Sequence, residues 1–410
     1  MKILLKNIPN TYNYGSMMMA ENIITYLNKN IKNIEFYTEA VAESDLIRLR
    51  KATKYKKIFR DPYFDNKLIT QKIKYIRFIE KLIRDEFALK KACEFYDCVI
   101  VLGGDDYAET YYRIPKDTLL ISKLFKELQY FNKKTKLYMV GQTIGPFTGK
   151  RIDIAKRGFE NVKIFSRDFE TTKYMKETFG YEISTSRDLA FLDLNLQNSE
   201  ETKNVLKKYN LKKNDYITLV GTGLYEKYAT DSDQMLKTFN NIIEELKNKY
   251  KDKKIVYLAH VTTPNAVNDI TFLDMLQNYI KKNDDYIFIK DKILPAEARM
   301  ILGHGYFTLT FRMHAAVSTF QMGKPAICLS YSKKYKGVIA DGLDMSKLVI
   351  DAKGDSKWNK KLVKNVMNTS DYIDENYKNL QIKIKKQVNV SKKIVNDMID
   401  QIVEDILNKE

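Results

Sequence analysis

Residues 306–331 read YFTLTFRMHAAVSTFQMGKPAICLSY and hold the pattern that decides the fold. The β-branched and aromatic run YFTLTF predicts a strand, residues 314–322 predict a helix, and PAICLSY predicts a second strand after a turn. Two short apolar strands joined by a helix are typical of a β-α-β unit in a parallel sheet. Arg312 and His314 stand where the first strand becomes the helix, so a fixed charge and a titratable ring lie at the sheet edge.

The same alternation extends through most of the 410 residues. The run DCVIVLGG, residues 97–104, is continuously apolar, as expected of a strand covered on both faces. A polar stretch interrupts the alternation near the middle of the chain, after which strands and helices resume. We therefore predict two α/β domains and a helical end, with boundaries at 1–195 for the first domain, 196–214 for a linker, 215–355 for the second domain and 356–410 for a Lys-rich helical extension.

Local signals predict where several helices begin. Ser16 is the expected N-cap of the helix that follows the first strand, because a serine side chain can accept from the first backbone N–H groups. Residues 67–95 predict a highly charged helix, and residues 265–282 predict a helix in the second domain. The extension 356–410 is interpreted as a solvated packing helix rather than a partner-binding tail.

Composition limits the possible functions. Apolar residues make up 44% of the chain, enough for two cores, and the formal charge is +18. That charge favours an anionic partner, although abundant Lys, Asn, Ile and Tyr also indicate a general composition bias. Three cysteines in no metal or redox spacing favour a reducing compartment. The first residues lack the apolar core of a signal peptide, so we expect a cytoplasmic protein, with a peripheral place at the inner face of the cytoplasmic membrane left open.

The ends of the predicted strands carry the candidate binding residues. Two facing α/β domains would bring the carboxyl ends of their sheets to one cleft, where ligands of open parallel sheets bind. In the first domain, small or polar residues suited to a hydroxylated ligand follow the strands: Asn13, Gly15, Gly104, Asp105, Asp106, Gln142 and Thr143. Arg167 suits a phosphate or carboxylate, or alternatively an ion pair with Asp168 or with the segment 186–188. Adjacent acids without further ligands make a poor metal site, so we expect no metal.

In the second domain the residues at the strand ends are mostly cationic or hydrogen-bonding. His260 ends one strand, Arg312 and His314 follow another, and the segment SYSKKYKG places four further candidates near the same edge, namely Ser330, Tyr331, Lys334 and Lys336. Any one of them could be structural. Their convergence on one sheet edge predicts an anion site, for phosphate or carboxylate.

Taken together, these motifs resemble those of the polysaccharide pyruvyl transferase family. The resemblance rests on NYGS, VLGGDDYAE, VGQTIGPF, FSRDFETTKYM, RDLAFL and TFRMHAAVSTFQMGKPAICLSYSKKYKG, in that order from about residue 3 to 345. It implies two Rossmann-like domains facing across a cleft in a GT-B-like arrangement. It also implies transfer of a pyruvyl group from phosphoenolpyruvate to two hydroxyls of a cell-envelope saccharide or its lipid-linked precursor. The product is a cyclic ketal, and phosphate is released.

The resemblance also assigns roles to residues. The family's Arg-x-His motif falls on Arg312 and His314, and its Arg-Asp motif on Arg167 and Asp168. Many members carry an acid where this chain has Ser16, so the resemblance assigns no catalytic or acceptor role to that position. We expect the donor phosphoenolpyruvate, a co-substrate and not a bound cofactor, to contact Arg312, His314, Arg167 and the SYSKKYKG residues.

For the chemistry, His314 is the proposed acid and His260 the second candidate, because an imidazole titrates near working pH. Asp105 or Asp106 is the candidate base for the acceptor hydroxyl. Three alternatives remain: a GT-B-like glycosyltransferase that uses a nucleotide sugar, a non-catalytic glycan-binding member, and a nucleic-acid-binding module. The chain has no recognised nucleic-acid-binding motif and no basic patch, so we expect no nucleic-acid partner. The acceptor sugar and the oligomeric state are not predicted.

Overall fold

The structure is a computed structural model that describes residues 1–40, 42–63, 86–109, 115–264, 268–280 and 285–408. Its chain forms two compact units. The first comprises Met1–Thr11, Met19–Leu189 and Val395–Glu410, and the second comprises Tyr12–Met18 and Ala190–Ile394. The segment Tyr12–Met18 and the end of the C-terminal helix therefore each belong to a different unit from the residues around them. The predicted linker 196–214 lies inside the second unit and contains a helix, Glu200–Lys208.

The first unit is built on a parallel sheet of seven strands. Its strands are β1 Lys2–Lys6, β2 Glu35–Thr38, β3 Ile58–Arg60, β4 Cys98–Leu102, β5 Lys136–Gln142, β6 Lys163–Ser166 and β7 Ser184–Thr185, in the spatial order β3-β2-β1-β4-β5-β6-β7. Its helices are α1 Tyr14–Asn30, α2 Glu43–Thr53, α3 at 86–95, α4 Pro115–Lys134, α5 Lys150–Phe159 and α6 Phe169–Phe179. The buried strand residues Val99, Val101 and Met139 lie in its core.

The second unit repeats this architecture with six parallel strands. They are β8 Tyr216–Val220, β9 Lys254–Leu258, β10 Tyr286–Ile289, β11 Thr308–Thr310, β12 Ala326–Ser330 and β13 Val349–Asp351, in the order β10-β9-β8-β11-β12-β13. The helices are α7 Glu200–Lys208, α8 Ser232–Lys249, α9 Asp269–Tyr279, α10 Pro295–His304, α11 Met313–Gln321, the short α12 Lys333–Tyr335 and α13 Lys360–Leu407. The predicted pair of Rossmann-like domains and the helical C-terminal extension are confirmed.

The predicted helix beginnings need corrections. Helix α1 begins at Tyr14, two residues before the predicted N-cap Ser16, which lies within its first turn. Asn13 takes the capping position instead, because its Oδ1 accepts from the N–H of Gly15 at 3.2 Å. Asn268 caps α9 by accepting from the N–H of Thr271 at 3.0 Å, so that helix begins later than residue 265. Of the predicted helix 67–95, the part 67–85 lies outside the described residues.

Candidate functional site

The strand order of the second unit reverses between β8 and β11, which are neighbours in the sheet. In open α/β sheets such a reversal opens a crevice at the carboxyl ends of the two strands, and ligands bind there. Gly221, Thr222 and Gly223 follow β8, and Arg312 follows β11 as the N-cap of α11. The topology of this unit therefore places Arg312 at the expected ligand edge.

Arg312 is held by Asp269, the first residue of α9, whose side chain is fully buried. One carboxylate oxygen accepts from Arg312 Nε at 3.1 Å and from Nη2 at 2.5 Å, and the same oxygen accepts from the N–H of Gly223 at 2.9 Å. The other oxygen accepts from the N–H groups of His260 at 3.1 Å and Val261 at 2.8 Å. Asp269 thus joins the loops that follow β8, β9 and β11.

This pairing changes what Arg312 can offer to a ligand. The forked edge formed by Nε and Nη2, which the sequence suggested for an anion, faces Asp269. Although burial acts to lower the pKa of Arg312, the Asp269 carboxylate raises it above its usual value. The side chain keeps 16% of its exposure. The guanidinium is therefore a fixed, permanent cation, and Nη1 is the nitrogen for which no bond to Asp269 is described.

His314 is the second residue of α11 and is partly exposed. The first turn of α1 packs against its ring, since a Cβ added at Gly15 would lie 2.6 Å from Cγ and 2.9 Å from Cε1, and closer still to Nδ1. Neither α1 nor α11 carries an acidic residue in its first turn. The N-terminal turns of two helices without acidic residues therefore lie beside His314.

Asn13 and Gly15, which were predicted to bind the acceptor, lie in the second unit beside the two histidines. Asn13 forms an antiparallel bridge with Val261, and Tyr14 donates its N–H to the carbonyl of His260 at 3.3 Å. The Tyr14 ring meets the His260 ring edge-on at 5.3 Å. The residues that follow the first strand of the chain thus belong with the predicted donor residues.

His260 does not have the properties of an acid. Its side chain is buried, and burial, reinforced by the positive charges of His314, Arg312 and Arg299, holds its pKa well below 6.5. The ring is therefore neutral near pH 7 and carries no proton that it could deliver as an imidazolium. The geometry favours His314 alone of the two predicted acids, with His260 as a packing partner of Tyr14.

The segment after β12 contributes less open surface than expected. Ser330 and Tyr331 are each only 9% exposed. Lys334 Nζ donates to the Tyr331 hydroxyl at 2.9 Å and lies over the same ring. Lys336 is largely exposed, begins a π-helical turn that ends at Asp341, and forms a 3.8 Å ion pair with that residue. Lys334 is therefore better placed than Lys336 to add positive charge near Arg312.

In the first unit, the strand order reverses between β1 and β4, and the predicted glycines and aspartates follow β4. Gly103 permits a close backbone approach, since a Cβ there would overlap the carbonyl group of Gly141. Thr143 donates its N–H to the carbonyl of Gly104 at 3.0 Å. At the ligand edge of this unit, Asp105 is partly exposed and Asp106 is exposed.

Two residues predicted to bind ligands are buried in this unit instead. Arg167 is 1% exposed and pairs with the fully buried Asp188 at 3.2 Å, which confirms the alternative of an ion pair with segment 186–188. Its Nε also donates to Thr143 Oγ1 at 2.7 Å. Although burial opposes it, the charges of Asp188, Asp105 and Asp168 raise the pKa of Arg167.

The Gln142 side chain donates to the carbonyls of Val101 and Leu102 at 3.0 and 2.9 Å. Neither side chain presents an open surface to a donor or acceptor.

Sequence reasoning did not find Asp269 and Arg299. Asp269 follows the helix cap Asn268, so the sequence offers only a helix start as a signal. Arg299 is fully buried in α10 and donates to the carbonyls of Ala190 at 2.6 Å and Leu192 at 2.8 Å. It thereby fixes the chain at the end of the RDLAFL motif. Among the described residues, no three His, Cys, Asp or Glu side chains are placed to share a metal ion.

A family profile described as Polysaccharide pyruvyl transferase matches residues 13–333. The chain belongs to the polysaccharide pyruvyl transferase family. As a member of this family, the chain is 23% identical over 254 residues to the Amylovoran biosynthesis protein AmsJ of Erwinia amylovora. That alignment covers 60% of this chain and 59% of AmsJ. The alignment therefore spans less than two thirds of the length of AmsJ.

The chain is also similar in fold to solved structures of differently described proteins. A UDP-GlcNAc 2-epimerase from Neisseria meningitidis matches with a TM-score of 0.61 at 13% identity, covering 98% of this family member and all of that chain. A ugt transferase from Siraitia grosvenorii matches with a TM-score of 0.54 at 11% identity over 99% of this chain and 100% of that chain. At these identities, the similarity to solved structures shows only the fold of this pyruvyl transferase family member and says nothing of its activity. Within the described part of the chain, no helix has the length and hydrophobicity needed to cross a membrane.

Proposed function

We propose that this protein transfers the pyruvyl group of phosphoenolpyruvate to two hydroxyls of a sugar, in a cell-envelope polysaccharide or its lipid-linked precursor. The proposal is supported most by one arrangement in the second unit. Arg312, anchored by Asp269, and His314, packed against Gly15, lie at the topological switch point beside the first turns of α1 and α11. Phosphoenolpyruvate carries a carboxylate and a phosphate on three carbons, so two adjacent cationic elements suit it.

The reaction requires only proton transfers and two C–O bonds. A proton is added to the methylene carbon C3 of the enol, and C2 develops cationic character. One sugar hydroxyl then adds to C2, phosphate leaves with the C2–O bond electrons, and the second hydroxyl adds to close the ketal. The two hydroxyl protons balance the proton gained at C3 and the proton taken up by the released phosphate.

The named residues would divide this work. Arg312 Nη1 and the N-terminal turn of α11 hold the donor's negative charge, helped by Lys334. His314 carries the proton, and such acid–base assistance typically contributes about 10² to 10⁴ in rate. The role of Asp105 or Asp106 as base for the acceptor hydroxyl stays a prediction from the sequence. We propose a cytoplasmic location, with peripheral contact at the inner membrane face where lipid-linked acceptors are displayed.

The deciding experiment supplies phosphoenolpyruvate together with a panel of lipid-linked and nucleotide-activated sugars. The expected result is phosphate release matched by an acid-labile mass gain of one pyruvyl group on one acceptor. Calorimetry with phosphoenolpyruvate and with nucleotide sugars, run in parallel, tests the glycosyltransferase alternative. Consumption of a nucleotide sugar without phosphate release from phosphoenolpyruvate would establish that alternative and overturn the proposal.

A further inference from the structure

The segment Tyr12–Met18 packs within the second unit and is fixed on two sides. Tyr14 is fully buried in the hydrophobic core of that unit, and its hydroxyl donates to the carbonyl of Asp291 at 3.2 Å. The N–H of Thr262 donates to the carbonyl of Tyr12 at 2.9 Å. Because backbone and side chain both hold it, the segment cannot shift easily to make room for a larger residue.

Gly15 lies at the centre of this fixed segment, directly against the imidazole of His314. It has an ordinary helical conformation, so left-handed backbone geometry does not explain the glycine. Space explains it. A Cβ would approach Cγ and Cε1 of His314 to 2.6 and 2.9 Å, well inside van der Waals contact, and Nδ1 more closely.

The order of these distances defines how the ring is turned. Nδ1 and its two bonded neighbours are the ring atoms nearest to Gly15, so the opposite edge of the ring, with Nε2 and Cδ2, points away from α1. A methyl group at position 15 would have to displace the ring, and a displacement of about 1 Å in a catalytic group costs on the order of 100-fold in rate.

We propose that Gly15 is a positioning residue for the reaction, which sets the orientation of the His314 ring. The proposal rests on the proposed function, because it gives Gly15 its role through the proton carried by His314. It replaces the expectation that Gly15 binds the acceptor sugar.

The kinetic test uses the full-length Gly15→Ala protein with phosphoenolpyruvate and the acceptor found in the panel. The expected result is a kcat about 100-fold lower, with the KM for phosphoenolpyruvate changed less than about threefold because Arg312 is untouched. NMR of histidine labelled with ¹⁵N should show displaced His314 ring signals. Gly180→Ala is the matched control: Gly180 has positive φ and no atom within 4 Å of its added Cβ, so it strains the backbone without touching a side chain. It should leave kcat and the His314 signals unchanged.

A double-mutant cycle, measured as melting temperatures, tests the contact between Gly15 and His314 even if no enzymatic activity is found. Gly15→Ala should lower the melting temperature of the wild-type protein, and should lower it much less in a His314→Ala background, where the ring that blocks the methyl group is gone. Equal losses in both backgrounds, or unchanged His314 signals in Gly15→Ala, would overturn the positioning role. If no pyruvyl transfer occurs at all while the cycle and the NMR shift are as expected, the proposed function fails and the steric relationship stands.

Discussion

Asp269 accepts two hydrogen bonds from Arg312, from Nε at 3.1 Å and from Nη2 at 2.5 Å, and its carboxylate is completely shielded from solvent. The arginine that is the best candidate for holding the donor is therefore itself held. A preorganised cation loses little conformational freedom when a ligand binds, which favours affinity. The pair also fixes which nitrogen of Arg312 remains for the ligand.

Asp269→Asn should therefore damage both the fold and donor binding. Arg312 would lose its counter-charge in a largely buried position, and breaking such a pair costs about 3–5 kcal/mol in free energy of unfolding. Urea denaturation and calorimetry with phosphoenolpyruvate measure the two effects. Asp274→Asn on the same helix is the matched control, because Asp274 forms an exposed pair with Lys290 and its loss should cost less than about 1 kcal/mol. Equal stability losses in the two variants would contradict the anchoring role of Asp269.

His314→Ala should mainly lower the rate of the chemical step, whereas Arg312→Lys should mainly weaken donor binding. Removing the imidazole should lower kcat by about 10² to 10⁴ while phosphoenolpyruvate still binds. The lysine keeps a positive charge but cannot reach Asp269 and the donor together, so the KM for phosphoenolpyruvate should rise about tenfold or more. Steady-state kinetics with the true acceptor measures both. Near-full activity of His314→Ala would show that the proton comes from elsewhere.

Arg167→Lys should lower stability without altering donor affinity. Arg167 lies in the first unit, buried with Asp188 and bonded to Thr143, so the single ammonium group of lysine, without the forked guanidinium, would leave part of the buried network unpaired. The expected loss is about 2–3 kcal/mol in free energy of unfolding. The KM for phosphoenolpyruvate, measured below the melting transition, should stay within about twofold of the wild-type value. A large rise in KM would restore the donor-binding role predicted from the sequence.

Stability in mild acid should depend on His260. Its folded pKa lies well below 6.5, mainly because of burial, whereas the unfolded chain takes up a proton near 6.5. The unfolded state thus binds more protons as the pH falls below 6.5, so stability decreases by up to about 1.4 kcal/mol per pH unit. His260→Asn should remove this component. The pKa of the half-buried His304 is lowered too, so the informative quantity is the difference between wild type and variant in melting temperature from pH 7.5 to 5.5. Parallel pH profiles would contradict the neutral, buried assignment.

Asp61→Asn should stabilise the protein at alkaline pH. Burial raises the pKa of Asp61 to about 6, even though its Oδ1 accepts from the Tyr96 hydroxyl at 2.7 Å. The folded state holds the proton more tightly than the unfolded state, so stability falls as the pH rises from about 4 to 6 and stays lower above it. Asparagine resembles the protonated acid. The variant should gain on the order of 2 kcal/mol at pH 8 and almost nothing at pH 4. Asp252→Asn, at a fully exposed carboxylate, is the control and should show no such gain.

The sequence was sufficient for the architecture but not for the contacts of the site. Residues 306–331 form a strand, a helix and a strand as the apolar pattern predicted, because local periodicity encodes those elements. The pairing of Asp269 with Arg312 and of Gly15 with His314 depends on how distant segments pack, and no local pattern records it. Arg167 shows the same limit: the sequence left open an anion ligand or an ion pair with segment 186–188, and only the fold decides for the pair with Asp188.

The division of the C-terminal helix between the units bears on how the protein can be dissected. Helix α13 contributes Val395 onward to the first unit, where Asp405 bonds to the side chains of Lys163 and Tyr138 and thus joins two strands of its sheet. The first unit is therefore a discontinuous domain that is completed only when the last residues of the chain are present. A fragment of residues 1–189 would lack this closing piece, whereas a circular permutant that joins the C-terminal turns of α13 to Met1 would carry it on one continuous segment.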